Sequence, residues 1–287
     1  MDIITNPKEM QARSRSWREA GRRIAFVPTM GYFHEGHLSL MRYGREVGDR
    51  LVVSLFVNPT QFGPAEDFDR YPRDPERDAH LAREVGVDVL YTPGVAEMYP
   101  EGYQTYVTVE ALSRNLCGAS RPGHFRGVAT VVLKLFHQVL PHLAIFGEKD
   151  YQQLVIIKRM VRDLDLPVEV VGRPIVREPD GLAMSSRNTY LSPEERQSAL
   201  SLYRALKAAR RLVSARKNQR EEILEVVREI ILKEPHTRID YLALVDPETL
   251  EEVDKVSPAA RLALAVWVGN TRLIDNALLV ESQPCCV

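Results

Sequence analysis

The amino-acid sequence predicts an α/β fold in which a doubly wound parallel sheet is followed by a small α+β domain with an antiparallel sheet. Three features carry this expectation. Short β-type runs alternate with helical stretches up to residue 176, the pattern of right-handed crossovers between parallel strands. One run, LVVSLFV at 51–57, is apolar on both faces, as a central parallel strand covered on two sides must be. After residue 176 the order changes to two long helices and then three β-type runs, which suits a separate antiparallel sheet.

The elements follow in order. Asn6 and Pro7 open a helix that Gly21 terminates. RIAFVPT reads as a short strand that Pro28 ends, and GHLSLMRYGREVG as a helix stopping at Gly48. After the strand at 51–57 come helix 75–86, strand 87–93, helix 125–140, strand 143–147, helix 150–164 and strand 168–176. This first part is expected to be Rossmann-like, with domain 1–176 and domain 177–287. The second holds helices at 193–215 and 219–234 and β-type runs at 238–245, 261–269 and 271–280.

Composition excludes several classes. With 287 residues, one large domain or two are allowed. A formal net charge of −1 offers no basic face for nucleic acid. No apolar run reaches the roughly 18–20 residues of a membrane span, and the N-terminus lacks a secretory pattern. Of three cysteines, Cys285 and Cys286 are adjacent and Cys117 stands alone, which is no disulfide framework and suits a reducing, cytoplasmic setting.

Four polar segments fall where strands end, which is where open α/β sheets bind ligands. PTMGYFHEGH sets His34 and His37 around Glu35 and Gly36 at a helix start, beside Gly31, so backbone and imidazoles face an anion. The metalloprotease spacing fails because position 38 is Leu, so metal ligation by these histidines is not expected. FVNPTQFG supplies two neutral amides, Asn58 and Gln61. GEKD places Lys149 at the positive end of a helix, where a bound anion would relieve it, with Glu148 and Asp150 complementing the dipole. MSSR offers Ser185, Ser186 and Arg187 as phosphate donors. Neither GxxxxGK[ST] nor GxGxxG is present.

His-x-Gly-His at a helix N-terminus with a late Met-Ser-Ser-Arg resembles the adenylyl-forming nucleotidyltransferases. PTMGYFHEGH, FVNPTQF, RPGHFRGV, FGEKDYQQL and DGLAMSSRNTYL together resemble the pantothenate synthetase (pantoate–β-alanine ligase) family. Departures are Tyr32-Phe33, where the family more often carries Ala-Leu, and Thr60, where Met is common.

The resemblance implies an ATP-dependent, Mg²⁺-requiring ligase that joins pantoate to β-alanine through a pantoyl adenylate, releasing AMP and pyrophosphate. It implies ATP contacts from Met30, Gly31, Tyr32, Phe33, His34, Glu35, Gly36 and His37. Further ATP contacts would come from Gly147, Glu148, Lys149 and Asp150, from Val176, and from Met184, Ser185, Ser186 and Arg187. His37, His34 and Lys149 would be catalytic. Gln61 and Gln153 would hold pantoate, and Asn58 would border the β-alanine path. The first domain would bind ATP and pantoate while the second closes as a lid. Mg²⁺ would ride on the triphosphate, since no carboxylate cluster reads as a cage. A homodimer is implied by the family alone. Competing readings are a nucleotidyltransferase with another acceptor, a nucleotide-binding protein without chemistry, and an aminoacyl-tRNA synthetase relative. The first has no use for FVNPTQF and RPGHFRGV, and the last lacks an RNA-binding surface.

Overall fold

In a computed structural model, residues 1–64 and 66–280 are described; Cys285 and Cys286 lie outside them. The chain runs β1 (Asp2–Ile4), α1 (Pro7–Glu19), β2 (Ile24–Thr29), α2 (Glu35–Val47), β3 (Arg50–Leu55), α3 (Pro75–Val85), β4 (Val89–Tyr91) and α4 (Val95–Met98). It continues through α5 (Cys117–Ser120), α6 (His124–Val139), β5 (Leu143–Gly147), α7 (Tyr151–Asp163) and β6 (Glu169–Arg173). The last elements are α8 (Pro193–Ser214), α9 (Arg220–Leu232), β7 (Thr237–Val245), β8 (Arg261–Val268) and β9 (Thr271–Leu278). Six parallel strands lie in the order β1-β4-β3-β2-β5-β6, and β7-β8-β9 form an antiparallel sheet. The α/β sheet with a separate antiparallel sheet is the architecture expected.

The order of the parallel sheet locates the site. From β2 the chain winds outward through β3 and β4, then crosses back to β5 on the other side of β2. The topological switch point is therefore between β2 and β5, and the crevice beyond their carboxyl ends is the place for a ligand. PTMGYFHEGH follows β2 and GEKD follows β5.

Local chemistry explains most boundaries. Asn6 caps α1 by accepting from the N–H groups of Lys8 and Glu9 at 2.9 and 3.2 Å. The expectation that Pro28 ends β2 is corrected: Pro28 is paired within it, opposite Ser54. β5 pairs with β2 only at Ala25 and Phe26, so Pro28 sits where one neighbour has already diverged. The three-residue edge strand β1 was not expected, because DII carries too little pattern to separate from a helix lead-in. Ala25, Val27, Leu51, Val53, Leu143 and Ile145 are buried with Met41 of α2 and Ala82 of α3, giving the core on one face of the sheet.

Asp88, in the turn before β4, gathers this edge. Its carboxylate accepts from the Leu51 N–H at 2.8 Å, from Arg45 at 2.6 Å and from Arg50 at 2.8 Å. Burial pushes its pKa up, but the Leu51 N–H and the two guanidiniums outweigh burial and hold it below 3.8. A carboxylate depressed on folding contributes stability above its unfolded pKa and loses it as pH falls through the folded value. Asp88→Asn should therefore lower stability at neutral pH by about 1–3 kcal/mol. It should also flatten the acid limb of melting temperature against pH. An acid limb identical to that of the parent would show that Asp88 is not linked to folding.

The chain divides into two compact units. The first comprises Met1–Arg114, Arg121–Glu148 and Gln153–Val176, the second Asn115–Ser120, Lys149–Gln152 and Arg177 onward. In the second unit, Leu202 and Leu206 of α8 and Ile223 and Val227 of α9 are buried with Leu264 and Val266 of β8. Two short segments join it by hydrogen bonds distant in sequence. Gln152 accepts from the Cys117 N–H at 3.0 Å and donates to the Asn115 carbonyl at 2.7 Å. Tyr151 donates to the Pro247 carbonyl at 3.1 Å, and Asn276 to the Lys149 carbonyl at 3.0 Å. Lys149 and Asp150 thus belong with the second unit, although the sequence places them in the stretch up to residue 176.

Candidate active site

Beyond β2 the chain forms a tight arch. Gly31 and Tyr32 both take left-handed backbone, with φ of 87° and 53°. Gly31 is required twice over: a Cβ there would also lie 3.0 Å from Asp78 Oδ2 and 3.1 Å from Leu55 Cγ. Thr29 Oγ1 accepts from the Gly31 N–H at 3.1 Å while donating to the Ser54 carbonyl at 2.6 Å. Asp78 of α3 accepts from the N–H groups of Tyr32 and Phe33 at 2.6 and 2.7 Å. The Phe33 side chain is fully buried in the core, so only its backbone faces the arch, and Glu35 pairs with Arg42 on the surface.

The two histidines close the arch. His34 is the N-cap of α2, and its Nδ1 accepts from the Gly36 N–H at 3.1 Å. His37 Nδ1 accepts in turn from the His34 N–H at 3.3 Å, and the ring centroids lie 4.1 Å apart. An Nδ1 that accepts leaves the ring proton on Nε2. Both imidazoles are thereby set as Nε2–H donors. This differs from a helix N-terminus offering amides to an anion: the Gly36 amide is already used by His34, and the donors displayed are imidazoles.

A second network follows β3. Asn58 is 1% exposed and donates through Nδ2 to Gln61 Oε1 at 3.0 Å and to the Gly127 carbonyl at 3.2 Å. Its Oδ1 accepts from Thr60 Oγ1 at 2.9 Å and from the Tyr99 hydroxyl at 2.8 Å. Burial pushes the Tyr99 hydroxyl up to about 12, so it remains a donor. Thr60 thus adds a hydroxyl that fixes the orientation of the Asn58 amide. Gln61 Nε2 lies 3.2 Å from Met30 Sδ, which joins this network to the arch.

RPGHFRGV holds the same turn from behind. His124 Nδ1 lies 2.8 Å from the Gln61 carbonyl, and Arg121 donates to that carbonyl at 3.3 Å. Arg121 also binds Glu66 through two bonds of 2.7 and 2.6 Å. Gly127 lets α6 approach so closely that a Cβ would lie 2.3 Å from the Thr60 carbonyl oxygen.

The remaining expected site residues occupy both units. Gly147 ends β5 and Glu148 follows it, both in the first unit, where half-buried Gln153 of α7 and Val176 also lie. In the second unit Lys149 Nζ is 3.5 Å from Asp150 Oδ2, a contact that offsets part of its charge beside a helix start. Ser185 caps a single 3-10 turn, Ser186–Tyr190, by accepting from the Arg187 N–H at 3.3 Å, next to half-buried Met184. Among the described residues no group of three or more His, Cys, Asp or Glu side chains could hold a metal ion. No helix of the described residues is long and apolar enough to cross a membrane.

Sequence reasoning missed Asp78, Tyr99, Arg121, His124 and Gly127 as parts of the site. For Asp78 a signal existed: it shares the buried stripe of α3 with Ala79 and Ala82, where a carboxylate needs donors. Arg121, His124 and Gly127 lie in RPGHFRGV, one of the segments that carry the resemblance, but their partners, like that of Tyr99, are about 40 to 70 positions away, so the segment by itself gave these residues no role.

Comparison with known proteins identifies the family. The family pantoate-beta-alanine ligase matches residues 2–278. A relative named pantothenate synthetase, from Syntrophus aciditrophicus, is 60% identical over 98% of this chain and 98% of its own length. The crystal structure of pantothenate synthetase from Thermus thermophilus superposes with a TM-score of 0.93 at 50% identity, covering 98% of this chain and 100% of that one. A pantoate-beta-alanine ligase from Francisella tularensis, complexed with beta-gamma ATP and beta-alanine, gives a TM-score of 0.81 at 33% identity, with 99% of each chain covered. With its paired imidazoles at the switch point and its likeness running almost from end to end, the chain belongs to the pantoate-beta-alanine ligase family.

Proposed function

We propose that the protein condenses pantoate with β-alanine in two steps, using ATP to form a pantoyl adenylate before the amine attacks. The observation that carries this reading is the family match over residues 2–278. The site supplies a chemical reason for it. Attack of a carboxylate on the α-phosphate needs orientation and hydrogen-bond donors for the developing charge rather than covalent help. His34 and His37, held as Nε2–H donors, would meet the α-phosphate, with His37 as the principal donor and Lys149 adding charge. Pantoate would lie against Gln61 and Gln153, with Asn58 bordering the path of β-alanine.

ATP would be bound by residues 30–37, by Gly147, Glu148, Lys149 and Asp150, and by Val176, Met184, Ser185, Ser186 and Arg187. Residues 1–176 would serve as the ATP- and pantoate-binding domain and 177–287 as a lid. Mg²⁺ would arrive with the phosphates, and no step is assigned to it. Action as a homodimer in the cytoplasm is part of the same proposal and rests on the family likeness.

Pantoate and MgATP alone should support exchange of labelled pyrophosphate into ATP. Product assays should then show pantothenate and AMP only when β-alanine is added. If exchange requires β-alanine, the adenylate is not formed first and the two-step reading is wrong.

A further inference from the structure

We propose that Asp78 is a positioning residue for adenylate formation, aligning His34 and His37 through the backbone of the arch without touching substrate. This rests on the function proposed above. Five successive or near-successive amides of the arch have acceptors: Gly31 N–H on Thr29, Tyr32 and Phe33 N–H on Asp78, His34 N–H on His37, and Gly36 N–H on His34. All but one of these acceptors lie within the arch or at the end of β2. Asp78 is the one delivered by another element, 45 positions beyond Phe33, and it holds the amides immediately before the first histidine.

The backbone there would not stay folded in this way unaided. Left-handed φ is uncommon for a tyrosine and persists only where surroundings over-determine it. Asp78 provides that determination with both oxygens, in bonds short enough to be charge-assisted. The residue is 1% exposed, and burial raises its carboxyl pKa from the ordinary value in spite of the two amides. Arg77, its neighbour, stacks over the Tyr32 ring at 5.4 Å and secures the same residue from outside. Rotation of the Tyr32–Phe33 peptides would carry His34 with them. It would then break the bond between His34 N–H and His37 Nδ1 that sets the second imidazole. An asparagine in place of Asp78 is nearly isosteric, but it offers one carbonyl and turns its NH₂ toward the second amide. That leaves one arch N–H facing a donor.

The test uses the full-length enzyme and two variants. Asp78→Asn should lower the turnover of pantoate-dependent pyrophosphate exchange by about tenfold to a hundredfold, the scale of a misplaced catalytic group. KM for ATP and pantoate should change much less. In ¹⁵N NMR the ring nitrogens of His34 and His37 should lose the pattern of acceptor Nδ1 and protonated Nε2, a signature that a merely stabilising tether would not move. Asp78→Glu keeps the charge but displaces the two oxygens by a methylene, and it should give the same two signatures if Asp78→Asn does not fold. A lower melting temperature with parental turnover and unchanged ring shifts would overturn the proposal. Lack of exchange in the parent enzyme would instead refute the proposed function, while the ring shifts would still judge Asp78.

Discussion

His37→Ala should form the acyl adenylate about two to three orders of magnitude more slowly than the parent, the loss measured when one preorganised transition-state donor is removed. The fold should survive, because His37 lies on the first turn of α2, half-buried, and its backbone N–H is kept by the His34 carbonyl at 2.8 Å. His34 needs a different substitution. Alanine there would remove both the imidazole and the N-cap, and loss of a cap alone costs about 0.5–2 kcal/mol. His34→Asn retains a capping oxygen for the Gly36 amide while deleting the Nε2–H. It should therefore melt close to the parent temperature and still lose most of its exchange activity. Single-turnover adenylate formation with saturating ATP and pantoate measures both variants. Near-parental rates would reduce the two histidines to a helix cap and nothing more.

The second large effect is expected at Gly127, which carries no chemistry. A Cβ at this position would lie 2.3 Å from the Thr60 carbonyl oxygen, 2.6 Å from the Thr60 carbonyl carbon and 2.7 Å from the Gln61 nitrogen. These are backbone atoms and cannot rotate away, so α6 or the Asn58–Gln61 turn must move. Overpacking of this kind costs about 1–3 kcal/mol of stability. Moving the turn also displaces the Asn58–Gln61 pair, whose amides are the proposed contacts for pantoate. Gly127→Ala should accordingly lower kcat/KM for pantoate by at least about tenfold, since each misplaced buried hydrogen bond is worth about 1–3 kcal/mol. ATP binding, measured by titration without pantoate, should be nearly unchanged. An equal loss for ATP and pantoate would mean that the turn does not read pantoate.

Much of the architecture was legible because its signals are local. A strand apolar on both faces, such as 51–57, is a statement about burial that seven residues make by themselves. Asn6-Pro7 marks a helix start through a side chain that reaches the backbone amides two and three residues on. The spacing of His34 and His37 brought them to one helix start, and the structure places their rings 4.1 Å apart. β1 escaped because three residues at an edge have no periodicity, and Pro28 misled because its tolerance depends on where β5 parts from β2.

What the sequence by itself determined is the order of elements after β1, the parallel sheet, and the identity of the polar segments at the strand ends; the strand order, and with it the switch point between β2 and β5, came from the tertiary structure. The tertiary structure alone decided how those segments are held. Asp78 folds the arch from a helix 45 positions away, and Gly127 and His124 support Gln61 from more than 60 positions away. Lys149 follows β5 in sequence, yet Asn276 holds its carbonyl within the second unit. The physical reason is common to all of them. Propensity, capping and periodicity act over a few residues, whereas a buried carboxylate, a missing Cβ or an amide's orientation acquires meaning only from the atom packed against it.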